Sequence, residues 1–303
     1  MKTLRYLHLD VFTDTPLEGN QLAVFPDPTG LSTDDMQRIT REMNFSECTF
    51  IFPAEAPGTN VRMRIFTVAE ELPMAGHPTI GSTFALALEG VIAPGQREFV
   101  FGLGVGPTPV SIDWKGTAPD FVWMTQRNPE YRGAIADRQA FAAALGVAAS
   151  DLAASPPEAI SSGVPFLLAP LKSRNAVDRV AIDRAAYAAC CSAAGLGELP
   201  LFIFTVDAAS AGADENAYSR MLAPGLGVSE DPATGSASGP LGCYLFKHGL
   251  LPRERLSHIV SLQGVRMLRP SRIHISIESE GGQITRVRVG GRSVLVGDGR
   301  LTI

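Results

Sequence analysis

The sequence predicts a mixed α/β (α+β) fold made of two similar halves, each with mainly short strands. The chain has 303 residues, which suits two domains of ordinary size. One short pattern occurs twice, as Glu71-Leu-Pro-Met-Ala-Gly-His77 and as Glu230-Asp-Pro-Ala-Thr-Gly-Ser236. Segments typical of helices and strands follow one another in the same order around each copy. A duplication of one ancestral half explains both observations.

Each copy of the pattern leads into an apolar segment of helical length. Both segments end at a glycine, Gly90 or Gly249, thirteen residues after the His or Ser of the pattern. Pro240 lies about one turn into the second segment, where an interior proline costs about 3 kcal/mol. We therefore expect the second helix to start late, near Ser238, or to have an irregular first turn.

The elements before the pattern match in order as well. A helix over 33–43, with Ser32 as its N-cap, precedes a strand over 48–52. In the second half, a helix over 183–194 precedes a strand over 201–206. The apolar runs 6–12 and 166–171 are interpreted as matching opening strands.

The boundary between the halves is expected near residue 128. Strands over 110–114 and 121–125 end there at a polar stretch that contains Asn128-Pro129. The domains are thus 1–128 and 129–303. The tail alternates between apolar and polar residues around two Gly-Gly pairs, which predicts a β-meander whose last strand can join the first half.

Composition excludes several classes of function. The net charge is −5, and Lys and Arg are scattered, so we expect no nucleic-acid partner. No apolar run approaches the ~18 residues of a membrane span, and polar residues interrupt the start of the chain, so neither a membrane nor a signal peptide is expected. The four cysteines, Cys48, Cys190, Cys191 and Cys243, lack the spacing of a metal site. We therefore interpret them as cysteines that stay reduced and pack in the core of a cytoplasmic protein.

The repeated turns predict a site for a small carboxylate. A turn that leads into a helix points unpaired N–H groups and the positive end of the helix dipole at whatever lies in front. Two such helices can hold an anion in a cleft between the halves. His77, at or near the N-cap beside Pro78, can shuttle a proton, while Asp231 and Ser236 occupy the matching turn. The alternative for all three side chains is that they only cap their helices.

Glu47 is the candidate base. It lies between the end of a helix and a strand that is expected to be buried, and apolar surroundings raise a carboxyl pKa into the range useful for proton transfer. The alternative is an ordinary exposed carboxylate in a turn. Motifs of serine hydrolases, P-loop proteins, zinc proteases and dinucleotide-binding folds are absent. The glycine-rich stretch 102–106 precedes prolines rather than a helix, so it gives little support for a nucleotide.

Four motifs resemble those of the PhzF-like family of phenazine biosynthesis. They are Asn44-Phe-Ser-Glu47, the stretches 71–82 and 230–237, and Gly19-Asn20-Gln-Leu-Ala-Val24, in which Gln21 replaces the family's proline. The resemblance covers nearly the whole chain. It implies a diaminopimelate epimerase-like fold of two pseudosymmetric domains, each a β-sheet or barrel wrapped around a central helix, with the ligand between them.

The resemblance also implies an activity. In the phenazine enzyme the substrate is trans-2,3-dihydro-3-hydroxyanthranilate, so Glu47 is expected to move a proton between ring carbons without metal or cofactor. His77 and Asp231 are expected to assist catalysis, and the substrate-binding residues are expected to be Asn20, Gly76, Gly235 and Ser236. A homodimer is implied too.

Two other functions stay open. One is a cofactor-independent racemase or epimerase of an amino or hydroxy acid that uses Glu47 and His77. A racemase with two thiols is disfavoured, because the turns contain no cysteine. The other is a non-catalytic relative that binds a small molecule.

Overall fold

Strands dominate the structure, and the chain divides into two units. The computed structural model describes residues 2–206 and 215–303. The first unit comprises residues 1–125 and 289–303, and the second comprises residues 126–288. The chain therefore leaves the first unit once and returns to it at its end.

The first unit contains eight strands before the chain enters the second. Its elements are β1 (Thr3–Val11), β2 (Asn20–Phe25), α1 (Thr33–Met43), β3 (Glu47–Pro53), β4 (Val61–Phe66), β5 (Glu71–Leu72), α2 (Gly76–Leu88), β6 (Glu98–Leu103), β7 (Gly106–Lys115) and β8 (Ala118–Gln126). The glycine-rich stretch 102–106 forms the tight hairpin between β6 and β7, so it is a turn and not a nucleotide loop.

The second unit has the same kinds of element with extra surface helices. These are β9 (Glu130–Ala134), α3 (Arg138–Ala144), β10 (Glu158–Ser161), β11 (Pro165–Pro170), α4 (Arg174–Arg179), α5 (Arg184–Ala193), β12 (Leu201–Thr205), β13 (Ala217–Ala223), β14 (Val228–Asp231), α6 (Gly235–Lys247), β15 (Ile259–Gln263) and β16 (Ser271–Glu280). β17 (Gln283–Gly291) leads the chain back, and β18 (Ser293–Thr302) pairs antiparallel with β1.

The strands of the two units pair in the same sequence of parallel and antiparallel steps. In the first unit β1–β2, β3–β4, β4–β5 and β6–β7 are antiparallel, while β2–β3 and β4–β6 are parallel. In the second unit β10–β11, β12–β13, β13–β14 and β15–β16 are antiparallel, while β11–β12 and β13–β15 are parallel. This pattern corrects one expectation. β11 matches β2 rather than β1, because β2 and β11 each lie parallel to a strand that follows a helix.

One helix in each unit is buried on all sides. Every residue of α2 from Gly76 to Leu86 is buried, and α2 packs against β1, β2, β3 and β18. α6 packs against β10, β11 and β16. A helix with no solvated face belongs inside a core, and short side chains let the sheet approach it. A Cβ at Gly81 would lie 2.6 Å from the Leu22 side chain, so glycine is needed for this approach.

The two buried helices have the same length and the same ends. Each has thirteen residues and is followed by a glycine with positive φ, +72° at Gly90 and +60° at Gly249. The next amide in each unit donates to a carbonyl five residues earlier, Val91 to Leu86 and Leu250 to Leu245. The predicted helix ends are therefore confirmed.

The start of α6 differs from one expectation. The helix begins at Gly235 and runs through Pro240, so a late start near Ser238 is wrong. Its first turn is tightened, because Ala237 and Ser238 both donate from their amides to the Thr234 carbonyl. Pro240 is tolerated where the helix is held on all sides by the core.

Candidate active site

Glu47 and His77 meet in the first unit, although thirty residues separate them in sequence. Glu47 is the first residue of β3, and His77 is the second residue of α2, whose N-cap is Ala75. The Oε2 atom of Glu47 lies 3.2 Å from Nε2 of His77. Their side chains are 15% and 4% exposed, so both are largely shielded from water. This separation allows a proton to pass between a carboxyl group and an imidazole.

Burial of the His77 imidazole favours its neutral form. Burial lowers the pKa of His77 to about 3, and a hydrogen bond with the Gln21 backbone opposes this shift only in part. Asn20, which is fully buried, places its side-chain nitrogen 3.3 Å from Nδ1. Within the described residues, Nε2 makes no aligned hydrogen bond. A neutral ring whose Nδ1 accepts from Asn20 carries its proton on Nε2, so it can donate a hydrogen bond from Nε2.

The second unit holds Asp231 at the corresponding turn. Asp231 ends β14 and is 9% exposed. Its carboxylate accepts a 2.5 Å hydrogen bond from the Thr234 hydroxyl. Gln263 donates to the Asp231 carbonyl (2.8 Å) and to the Thr234 hydroxyl (3.0 Å), and accepts from the Thr234 amide. These bonds fix the direction of the carboxylate before any ligand arrives.

Gly235 and Ser236 are the first two residues of α6. Gln126 donates from Nε2 to the Gly235 carbonyl at 2.9 Å, which anchors the first turn of the helix. Ser238 donates to the Thr234 carbonyl, as Thr79 does to the Ala75 carbonyl at the start of α2. The two helix starts are therefore built alike.

The two buried helices lack the side-chain caps that the surface helices have. Ser32, Asp137, Ser173 and Asp183 each accept a hydrogen bond from an amide in the first turn of their helix. The N-cap residues of α2 and α6 make no such bond. His77 and Ser236 are not N-caps, since both occupy the second helical position. The amides at these helix starts therefore suit an anionic ligand.

The structure brings some of the predicted site residues together. Asn20, Glu47, Gly76 and His77 cluster in the first unit, and Asp231, Gly235 and Ser236 share one turn in the second. The sequence did not indicate the supporting residues Gln126, Thr234 and Gln263. Thr234 lies inside the repeated pattern and offered a signal, whereas the two glutamines come from distant strands.

Other groups do not form a competing site. Cys48 and Cys243 are buried, and burial raises the pKa of each thiol to about 12. Among residues 2–206 and 215–303, no group of three or more His, Cys, Asp or Glu side chains is arranged to hold a metal ion. In the same part of the chain, no helix has the length and apolar character needed to cross a membrane.

Comparison with known proteins decides the family. A sequence profile described as phenazine biosynthesis-like protein (PhzC-PhzF) matches residues 9–299. The chain belongs to this family. Trans-2,3-dihydro-3-hydroxyanthranilate isomerase from Pseudomonas aeruginosa is 34% identical over 296 residues, which are 98% of either chain. An uncharacterized isomerase from Mesorhizobium japonicum is 37% identical over 306 residues and is covered completely, as is this chain.

A solved structure agrees with the sequence relatives. A predicted epimerase from Pseudomonas aeruginosa is 33% identical, with a TM-score of 0.80 and 99% of both chains covered. The PhzF-like resemblance and the diaminopimelate epimerase-like fold are thereby confirmed. This PhzF-like protein is an isomerase, as its relatives are named. Those names argue against the alternative of a non-catalytic protein that only binds a small molecule.

Proposed function

We propose that this isomerase moves a proton between two carbon atoms of a small metabolite that carries a carboxylate, with Glu47 as the proton carrier. The contact between Glu47 and His77 in a shielded site carries the proposal, because it unites a carboxyl group and a neutral imidazole at a helix start. The 34% identity to an enzyme named trans-2,3-dihydro-3-hydroxyanthranilate isomerase supports that compound as the substrate.

The proposed reaction is balanced within the substrate and one carboxyl group. The Glu47 carboxylate accepts a proton from one substrate carbon, and the carboxylic acid so formed returns the proton to another carbon. The double bond moves, no electrons are gained or lost, and Glu47 ends as it began. His77 stabilises the negative charge that develops on the substrate by donating a hydrogen bond from Nε2–H.

We assign substrate binding to Asn20 and to the helix starts. Gly76 at the start of α2 offers a backbone amide to an anionic group, and Gly235 and Ser236 do the same at the start of α6. Asp231, fixed by Thr234 and Gln263, accepts a hydrogen bond from a donor group of the substrate, such as an amine or hydroxyl.

A second candidate is racemisation or epimerisation of an amino or hydroxy acid. The description of the structural relative as a predicted epimerase favours it. Racemisation by two groups needs one on each face of a carbon, whereas Glu47 and His77 touch each other at 3.2 Å. Cys48 and Cys243 are buried thiols whose pKa is about 12, so they do not supply the bases either. The geometry therefore favours proton transfer between two carbons.

Deuterium uptake tests the proposal. The purified protein is incubated with trans-2,3-dihydro-3-hydroxyanthranilate in deuterated water, and product and label are followed by absorbance and NMR. We expect Glu47→Gln to abolish both. Glu42→Gln is the matched control, because Glu42 is an exposed carboxylate in the last turn of α1, five residues earlier.

Each outcome has a consequence. Full turnover by folded Glu47→Gln protein would remove Glu47 from the mechanism. No turnover by folded wild-type protein would reject this substrate, and small unsaturated carboxylates would then be screened by the same label. Product with inverted configuration and an unmoved double bond would establish the epimerase instead.

The cellular setting is part of the same proposal. We infer a homodimer in the cytoplasm that acts in a biosynthetic pathway of the phenazine type. The four cysteines lie within the described residues and are unpaired, which suits a reducing compartment. Light scattering after gel filtration, with a mass near 32.2 kDa or twice that value, decides between monomer and dimer.

A further inference from the structure

The repeated pattern begins with a glutamate that the proposed reaction does not use. Residues 71–77 are called here the first motif turn, and residues 230–236 the second motif turn. In the first motif turn, Arg64 of β4 donates two hydrogen bonds to the two carboxylate oxygens of Glu71, at 2.7 and 2.5 Å. A bidentate pair of this kind fixes both distance and orientation.

The second motif turn has the same arrangement. Arg220 of β13 donates to the two carboxylate oxygens of Glu230 at 3.0 and 2.9 Å. Arg220 is only 7% exposed, and it also donates to the carbonyls of Val177 and Val180. In each unit the residue after the arginine pairs with the residue after the motif glutamate. Ile65 pairs with Leu72, and Met221 pairs with Asp231. The two arginines therefore occupy matching positions.

The proline of each motif turn is held as well. A Cβ at Gly104 would lie 2.9 Å from Cα of Pro73, and a Cβ at Gly264 would lie 2.5 Å from the Pro232 carbonyl oxygen. Both glycines follow the strand that lies parallel to the arginine-bearing strand. Each motif turn is thus fixed at its glutamate by an arginine and at its proline by a glycine backbone.

We propose that Arg64 and Arg220 are positioning residues for proton transfer, each clamping the motif glutamate and thereby fixing the helix start that follows. The inference rests on the proposed function for its kinetic consequence. Gly76 and His77 follow Glu71 by five and six residues, and Asp231 directly follows Glu230. Neither buried helix has a side-chain N-cap, so the clamps replace the caps without occupying the amides.

The clamps stabilise the helix start without competing with the ligand for its amides. A Ser or Asp cap would satisfy the first amides of the helix, but it would also compete with the substrate carboxylate for them. A clamp placed before the helix orders the turn and leaves those amides to the substrate. Small errors in the position of reacting groups are costly, since a displacement of about 1 Å lowers a rate by about 100-fold.

The first clamp is tested with Glu71→Gln and Arg64→Lys. Both variants remove the bidentate ion pair, and Glu71 is 37% exposed, so the fold tolerates the change. The matched control is Arg62→Gln, which removes the neighbouring ion pair with Glu55 two residues away on β4. We expect both clamp variants to lower kcat about 10- to 100-fold with little change in the melting temperature. The control is expected to keep wild-type kcat.

A readout without substrate separates this inference from the proposed function. The chain has five histidines, so the Cε1–H resonance of His77 can be assigned by His77→Gln and titrated. We expect the resonance to shift in the clamp variants and to stay unchanged in Arg62→Gln. Unchanged His77 resonances together with wild-type kcat in the clamp variants would overturn the inference. A shifted resonance in a protein that turns over no substrate would retain the clamp and reject only the reaction.

The second clamp is tested with Glu230→Gln, because loss of the buried Arg220 risks unfolding. We expect faster amide hydrogen exchange at Ala237 and Ser238, whose amides donate to the Thr234 carbonyl, and a KM raised about tenfold, with a smaller change in kcat. Arg184→Gln, which removes the surface ion pair with Glu198, is the control. Exchange rates equal to those of the wild type would show that Glu230 does not order this helix start.

Discussion

The charge of His77 at rest depends on a competition between burial and the neighbouring carboxylate. Burial lowers the pKa of His77 to about 3, whereas an ionised Glu47 at 3.2 Å favours the imidazolium. We predict that burial prevails and that His77 is neutral across the working pH range. The perturbation that reveals this is His77→Gln, which removes the titrating ring but keeps a polar side chain.

The direction of the pH effect follows from proton binding. The ordinary histidine pKa of about 6.5 applies to the unfolded chain, so between about pH 6.5 and 3 the unfolded state binds more protons. The folded protein is therefore fully stable, as far as His77 is concerned, above pH 6.5 and loses stability as the pH falls toward 3. The loss is about 2 kcal/mol at pH 5 and about 3 kcal/mol at pH 4. These are upper values, because Glu47 opposes them.

Urea unfolding of wild type and His77→Gln at pH 8, 6, 5 and 4 measures this loss. The wild type is expected to lose up to about 2 kcal/mol more than the variant between pH 8 and pH 5. NMR titration of the His77 Cε1–H signal gives the pKa directly. A His77 pKa at or above 6.5, with parallel stability curves for the two proteins, would refute the reasoning and identify an imidazolium–carboxylate pair as the resting state.

Three further predictions concern the surroundings of the site. Ser32→Ala removes the N-cap of α1 and is expected to cost about 1 kcal/mol in urea unfolding, with unchanged kcat and KM. Gly239→Ala places a methyl group against the Gln126 side-chain oxygen and is expected to cost about 1–3 kcal/mol and to raise KM. Thr234→Val removes the hydroxyl that donates to Asp231 and is expected to cost about 1 kcal/mol, again with a raised KM.

The outcomes that contradict these predictions differ. Reduced kcat in Ser32→Ala would show that α1 influences catalysis. Wild-type stability in Gly239→Ala would mean that the Gln126 side chain moves aside without cost. The control for Thr234→Val is Thr234→Ser, which keeps the hydroxyl and is expected to retain the wild-type KM. A raised KM in Thr234→Ser would assign the effect to packing rather than to the hydrogen bond.

Sequence reasoning reached the duplication and most helix ends because those signals are local. The glycines after α2 and α6 and the cap Ser32 act within one turn of their own helix. The strand matching failed for β1, since a short apolar run does not reveal which strand it lies beside. Parallel pairing joins residues far apart in sequence, so only the structure showed that β2 and β11 correspond.

The site was predicted in part for a similar reason. Glu47 and His77 were both named as site residues, but their contact joins a strand and a helix that are thirty residues apart. The arginine clamps were not predicted from the sequence, because the spacing between arginine and glutamate differs in the two units. Arg64 precedes Glu71 by seven residues, and Arg220 precedes Glu230 by ten. A comparison at one fixed offset cannot align them, although they perform the same task.

The pairing of β18 with β1 has a consequence for synthesis of the protein. The first unit needs residues 289–303, whereas residues 126–288 of the second unit are continuous. During translation the second unit can therefore complete its hydrogen bonding before the first, although the first began to emerge earlier. Until the last strand leaves the ribosome, one edge of β1 has no partner strand at the place that β18 will occupy. Glu47 and His77 belong to the first unit, so the sheet around them lacks β18 until residues 293–302 have been synthesised.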